Sequence, residues 1–173
     1  MLRVVACGLF LACAPTLRTP ADIADFARQP GVGDFEKLYD ALRSPLATMR
    51  SHAAWALGSR TLDDLAKPNH PTVAKELVSA FDAEWKRPGG PDAAVLGQIT
   101  RAIGIAGEAD AGEHVTGFFR VLSPSLQGAV AEMALGFATR KIRWSKQLDG
   151  AVGTIAATAN HPHRKVALIA AAR

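Results

Sequence analysis

Hydrophobic residues recur along most of the chain three and four positions apart, which is the spacing of one face of an α-helix. The first complete stripe consists of Phe35, Leu38, Tyr39 and Leu42 and predicts a helix over residues 34–43. Seven further stripes are present, and we therefore predict eight main helices and no β-sheet. The core-facing positions predicted from those seven stripes are Leu46, Met49, Ala53, Ala56 and Leu57; Val73, Leu77, Ala80 and Phe81; Val95, Ile99, Ala102, Ile103 and Ala106; Val115, Phe118, Phe119 and Leu122; Leu126, Val130, Met133 and Phe137; Leu148, Val152 and Ile155; and Val166, Ile169 and Ala170.

Turn residues separate these stripes in a recurring way. Residues 44–45 and 123–124 are both Ser-Pro, and each pair is predicted to end one helix and begin the next, because proline is tolerated at the first helical position. Residues 88–91 (Pro-Gly-Gly-Pro) predict a turn, Asp92 predicts a helix cap after it, and Gly58 predicts a helix end. The stripes therefore form four helix pairs of roughly 30 to 45 residues, a period typical of helical repeat proteins.

Three segments of the first pair carry a family resemblance. Residues 42–45 (Leu-Arg-Ser-Pro), 49–50 (Met-Arg) and 53–58 (Ala-Ala-Trp-Ala-Leu-Gly) resemble the HEAT repeat of the phycobilisome-lyase type. The third pair resembles it less closely, through residues 122–124 (Leu-Ser-Pro) and 131–136 (Ala-Glu-Met-Ala-Leu-Gly). The resemblance implies an all-α fold, a right-handed α-α superhelix of about four helix pairs in the manner of HEAT and armadillo solenoids.

The resemblance also bears on domain organisation and function. It implies one HEAT-like repeat domain over residues 34–173, and HEAT-like proteins commonly bind other proteins across the surface of stacked helix pairs. We therefore expect a non-catalytic protein-interaction or scaffold module, with the identity of its protein partner open. The fold also includes bilin lyases and DNA-alkylation glycosylases, so the alternative is a cytosolic HEAT-like enzyme or enzyme accessory. Composition agrees with close helix packing. Hydrophobic residues make up 49% of the chain, much of that share is alanine, which has the best helix propensity, and only 6% of the residues are aromatic.

The beginning of the chain suggests where in the cell the protein is located. Residues 1–12 place a basic residue before a short apolar run, which is the pattern of a signal peptide. Residues 10–13 (Phe-Leu-Ala-Cys) resemble a bacterial lipobox, which implies that Cys13 is lipidated and that the protein is anchored in the cell envelope. Ordinary secretion into the periplasm and a cytosolic start remain alternatives. Residues 13–33 are then predicted to be a tether and a short helix that ends near Arg28.

Charge is distributed unevenly along the chain. The net charge is +4, and from Arg140 onward there are seven basic residues and a single acidic one. This end is either a solvated surface that a further repeat or a partner covers, or a contact surface for phosphate or acidic protein. Basic residues around Trp144 suit nucleic acid, but a loop anchored by one ring is the favoured interpretation. The candidate partner contacts are Arg140, Lys141, Arg143, Trp144 and Lys146.

Residues that carry catalytic or metal chemistry are sparse. The two cysteines both lie in the leader, so nothing after residue 13 can form a disulfide, a thiolate metal site or a cysteine nucleophile. His161 and His163 are two ligands short of a tetrahedral site. No glycine-rich phosphate loop or Ser-His-Asp order is recognisable. We therefore predict no catalytic, cofactor-binding or metal residues and no cofactor.

The last predicted helix is apolar on more than one side. Residues 164–173 contain three charged side chains among aliphatic residues and alanines. A solenoid usually ends in a helix with a polar outer face, because no neighbour covers the last repeat. We therefore predict either that the chain is a fragment of a longer repeat protein or that this helix docks on a partner or on another copy of the chain.

Overall fold

A computed structural model describes residues 17–28, 35–63, 70–106 and 108–172, and every regular element in these ranges is helical. The prediction of an all-α fold is confirmed over these residues, and the short helix predicted to end near Arg28 is present. The elements are α1 (Pro20–Arg28), α2 (Glu36–Leu42), α3 (Ala47–Asp63), α4 (His70–Trp85), α5 (Ala93–Ala106), α6 (Ala109–Thr116), a 3-10 helix (Phe119–Val121), α7 (Pro124–Thr139), α8 (Lys146–Ala157) and α9 (Arg164–Ala171).

Local sequence sets several of the helix starts. Asp92 accepts hydrogen bonds from the backbone N–H groups of Ala94 and Val95 at 2.9 and 3.1 Å, and so caps the first turn of α5 as predicted. Gly89 and Gly90 both have positive φ, at 90° and 95°, which a residue with a side chain rarely adopts. The predicted turn between α4 and α5 therefore has a clear cause in the sequence.

The helices are arranged in two layers of contacts. Helices α1, α3, α5, α7 and α9 contact one another in that order and form the first layer, which we call the inner layer. Helices α4, α6 and α8 contact one another in a second layer. Helix α2 packs on α3, and the ion pair between Arg43, which follows α2, and Glu76 of α4 joins it to the second layer. Each helix of the second layer also contacts the inner layer, so the core lies between the two.

Glycine and alanine allow the inner helices to approach closely. A Cβ atom added at Gly104 of α5 would lie 2.5 Å from the Cα atom of Met133 of α7, and one added at Gly136 would lie 2.5 Å from the carbonyl oxygen of Gly104. Gly58 of α3 meets Ala102 of α5 in a similar way, at 3.2 Å. The expectation that Gly58 ends a helix is wrong, because α3 continues through it to Asp63. Its lack of a side chain serves packing between helices.

Most predicted core positions are buried, with two clear exceptions. Leu46 precedes the first residue of α3 and is 59% exposed, and Ile169 is 49% exposed. Helix α9 turns Ala167 and Ala170 inward, and Ile169 lies on the opposite side of the helix from Ala167. The helix predicted over the third pair's first stripe is also shorter than expected, since α6 ends at Thr116 and the 3-10 helix comes after it.

A buried ion pair joins the first helix pair to the second. Arg50 of α3 is 3% exposed and donates two hydrogen bonds to the carboxylate of Glu84 of α4, at 2.8 and 3.2 Å. It also donates to the backbone carbonyls of Ser44 and Pro45, in the turn before α3. Arg50 therefore ties the turn before α3 to α4.

No helix in the described ranges has both the length and the apolar character to cross a bilayer.

Candidate functional site

The basic residues near the end of α7 divide into two groups in the structure. Arg140 is partly buried and donates a 2.6 Å hydrogen bond to the carbonyl oxygen of Ile105, in the last turn of α5. Burial lowers the pKa of Arg140. The contact satisfies one of the carbonyls that a helix end leaves without a partner. Arg140 therefore has a structural contact inside the fold, whatever further contact it makes.

Trp144 is likewise engaged within the chain. Its indole N–H donates a 2.6 Å hydrogen bond to the carboxylate of Asp149, in the first turn of α8, and its half-buried ring packs against the core. This arrangement agrees with a loop anchored by one ring. Lys141, Arg143 and Lys146 are exposed, so they are the members of the candidate set that a partner can reach. Contact of the five residues with a partner stays a prediction.

A second candidate lies on the open side of the inner layer, around Trp55. A cavity of about 340 Å³ is lined there by Ala24 of α1, Ser51, His52 and Trp55 of α3, and Gln98 of α5. Trp55 is 38% exposed, which agrees with its absence from the core-facing positions predicted for α3. Three neighbouring inner helices therefore build one open depression around an accessible indole ring.

The polar side chains of this depression can bind a ligand or partner by hydrogen bonds. His52 Nδ1 lies 2.8 Å from the carbonyl oxygen of Thr48, and because a carbonyl can only accept, Nδ1 carries the proton. Nε2 of the neutral ring is then an acceptor. The side chains of Ser51 and Gln98 have no hydrogen-bond partner among the described residues. The described part of the lining contains no aspartate, glutamate, lysine or arginine, so the depression favours apolar and neutral polar groups.

A chain of charged groups crosses the same layer further along. Arg101 of α5 forms an ion pair with Glu132 of α7, and Nδ1 of His163, just before α9, lies 3.4 Å from the same carboxylate. The contacts tie three successive inner helices together. Sequence reasoning missed this pairing, although Arg101 and Glu132 both stand on otherwise apolar helices.

His161 and His163 are brought together without forming a metal site. The backbone N–H of His163 donates to Nδ1 of His161 at 3.2 Å, and Nε2 of His161 is buried with no partner among the described residues. Burial, and next the charge of His163, lowers the pKa of His161. Within the described ranges, no group of three or more histidines, cysteines and acidic residues is arranged to hold a metal ion.

A histidine–aspartate pair joins the two middle helices of the second layer. Nε2 of His114 of α6 lies 2.7 Å from the carboxylate of Asp82 of α4. The ring of Phe118 contacts that of His114, with centroids 5.7 Å apart, and lies 5.0 Å from the ring of Trp85. This packing indicates that the pair orients the aromatic side chains between α4 and α6.

Comparison with known proteins adds no relative: no protein-family profile, no curated protein and no solved structure matches the chain.

Proposed function

We propose that the chain is a HEAT-like helical-repeat module, a right-handed superhelix of about four helix pairs, that binds another protein through the open face of its inner layer. The two-layer order of helix contacts supports the repeat architecture. So does the role of Arg50, because an arginine at that point of the HEAT-like pattern joins one pair to the next through Glu84. The first and third Ala-rich runs also play the same part, since Gly58 and Gly136 each pack closely against α5.

The observation that carries the binding proposal is the exposed indole of Trp55 in its depression. Tryptophan is among the residues enriched at the energetic centres of protein interfaces, because its large ring buries much apolar surface against a partner. Ser51 and Gln98 lie beside the ring with unused donors and acceptors, as at the polar margin of an interface. The expected partner segment therefore presents an apolar group to Trp55 and uncharged polar groups around it.

The proposed place of action is the cell envelope, with Cys13 as the lipid attachment point. This part of the proposal rests on the leader pattern of residues 1–12, because Cys13 lies outside the described residues. Replacement of Cys13 by serine should move the protein from the detergent phase to the soluble periplasmic fraction. Equal partition of both forms would contradict the lipid anchor and would leave the interaction surface untouched.

In-cell photo-cross-linking tests the binding surface. A photoreactive phenylalanine analogue at position 55 samples the depression, and the same residue at position 113, an exposed site on α6 of the second layer, is the matched control. We expect discrete adducts with another protein from position 55 that are weak or missing from position 113. Equal adduct patterns from both positions, or none from position 55, would contradict the proposed face.

A further inference from the structure

A separate cavity lies on the other layer, between the end of α6, the 3-10 helix and the outer side of α8. Its volume is about 760 Å³, within the range of roughly 300–1,000 Å³ that accommodates small molecules. Phe119 and Arg120 line it from the 3-10 helix, and Lys146, Gln147 and Gly150 line it from α8. The cavity shares no lining residue with the depression around Trp55, so a ligand bound in it would be independent of the proposed function.

The charges around this cavity all have one sign. Arg120 and Lys146 are exposed, and neither side chain forms a hydrogen bond or an ion pair with another described residue. No aspartate or glutamate is among the described residues that line the cavity. Asp149, the acidic residue in the first turn of α8, accepts the hydrogen bond of Trp144. Two positive charges therefore face a common space whose described lining contains no acidic residue.

The remaining lining limits which groups can serve a ligand. The hydroxyls of Thr116 and Thr154 donate to backbone carbonyls of their own helices, at 2.6 and 2.8 Å, so their protons are already used. The side-chain donors left for a ligand among the described residues are the guanidinium of Arg120, the ammonium of Lys146 and the amide of Gln147. Phe119 supplies a half-buried aromatic surface beside them.

We propose that this cavity binds a phosphate monoester whose organic part lies against Phe119. A phosphate monoester carries a charge of about −1.5 to −2 near neutral pH, which two cations balance better than they balance a single carboxylate. The fork of Arg120 can donate to two phosphate oxygens at once, and Lys146 adds a point charge. Gly150 leaves free space in the cavity, because no other atom lies within 4 Å of the position that its Cβ would take.

Titration with three probes tests the proposal: phenyl phosphate, inorganic phosphate and benzyl alcohol, monitored through the amide NMR signals of Gly117 and Gly150. We expect phenyl phosphate to shift both signals saturably and to bind about tenfold more tightly than inorganic phosphate, because the ring also buries apolar surface. Benzyl alcohol should produce no saturable shift. Equal affinity for the two phosphates, or shifts that never saturate, would overturn the proposal.

Charge-neutral variants separate a built site from general attraction. Arg120→Gln and Lys146→Gln should each weaken phenyl phosphate binding about tenfold or more, because each removes a charge-assisted hydrogen bond. Lys165→Gln, which removes an exposed cation of α9 outside the cavity, is the matched control and should bind as wild type does. All three sites are exposed, so circular dichroism should show unchanged folding. Equal losses in the control and the cavity variants would overturn the proposal.

Discussion

Replacing Arg50 with methionine removes the cation from the buried network between α3 and α4 while keeping most of the volume of its side chain. The carboxylate of Glu84 is 1% exposed, and in the variant it keeps only the guanidinium of Arg87, at 3.1 Å, and the backbone N–H of Asp92, at 3.0 Å. A buried ion that loses its partner is destabilising by about 3–5 kcal/mol. The two surviving donors place Arg50→Met at the lower end, about 3 kcal/mol.

Chemical denaturation monitored by circular dichroism measures this cost, and a surface pair gives the control. Arg43 and Glu76 join α2 to α4 at 2.6 Å, but the arginine side chain is 60% exposed. Such a pair contributes about 0–1 kcal/mol, so Arg43→Met should change the free energy of unfolding by less than about 1 kcal/mol. A double variant, Arg50→Met with Glu84→Leu, should recover part of the lost stability, because no buried charge is then left unpaired. Equal, small effects of Arg50→Met and Arg43→Met would refute the reasoning.

The same network sets a pH dependence with a definite sign. Burial on its own would raise the pKa of Glu84, but hydrogen bonds from Arg50 and the Asp92 amide, with the charges of Arg50 and Arg87, hold it below the ordinary value of 4.5. A carboxylate whose pKa is lower in the folded than in the unfolded chain stabilises the fold at pH values above its unfolded-state pKa. This contribution is lost as the pH falls through its folded-state pKa. The stability difference between wild type and Arg50→Met should therefore narrow below about pH 4.5. A difference that stays constant down to about pH 3 would contradict this assignment.

Three further predictions concern packing and ionisation. Gly104→Ala should destabilise the protein by about 1–3 kcal/mol in thermal unfolding, because its Cβ would meet the backbone of Met133. Gly153→Ala, on the exposed side of α8 with nothing within 4 Å of the added Cβ, should instead stabilise the protein by about 0.5–1 kcal/mol. Stability changes of the same sign in both variants would contradict the close packing of Gly104 on α7. Tyr39, the single tyrosine, should ionise with a pKa of about 12 in ultraviolet titration, because of its burial and, next, the charges of Glu36 and Glu76. Its neutral form then adds stability below about pH 10, and this stability should decline as the pH rises toward 12. A titration midpoint near 10 in the folded protein would contradict its burial. Val130→Asp should unfold the chain, since it places an unpaired charge at a fully buried position, and a native circular dichroism melt would show that α7 is misplaced.

Local chemistry decides the features that the sequence predicts correctly. The stripes of α5 and α7 are correct because long amphipathic patterns leave little choice of buried face, and Asp92 and the Pro-Gly-Gly-Pro turn act within a few residues of themselves. The prediction for Gly58 is wrong because a glycine can mark either a helix end or a close contact between helices, and the sequence pattern fits both. Only its contact with Ala102 in the structure reveals the packing role. The prediction for Ile169 is wrong because a hydrophobic stripe on a short terminal helix fits more than one face.

The candidate sites are less accessible to sequence reasoning, because they depend on which helices become neighbours. Trp55 can be placed off its stripe, but not beside Gln98 of α5. The basic cluster around Trp144 looks uniform in sequence, and only the fold separates Arg140, which contacts α5, from Lys146, which shares a cavity with Arg120. Glu84 does carry a signal, since it lies on the same helical face as Leu77 and Phe81, where an acid needs a buried partner.

The most direct test of the binding proposal is quantitative mass spectrometry of proteins recovered with the full chain, compared among wild type, Trp55→Ala and Lys86→Ala. Lys86 is exposed and follows α4 in the second layer, so removing its side chain controls for general effects of substitution and handling. An interface centre contributes about 2 kcal/mol or more, so the proposal predicts a discrete protein whose affinity falls about thirtyfold in Trp55→Ala and is unchanged in Lys86→Ala. Recovery of the same proteins in the same amounts from all three forms would contradict it.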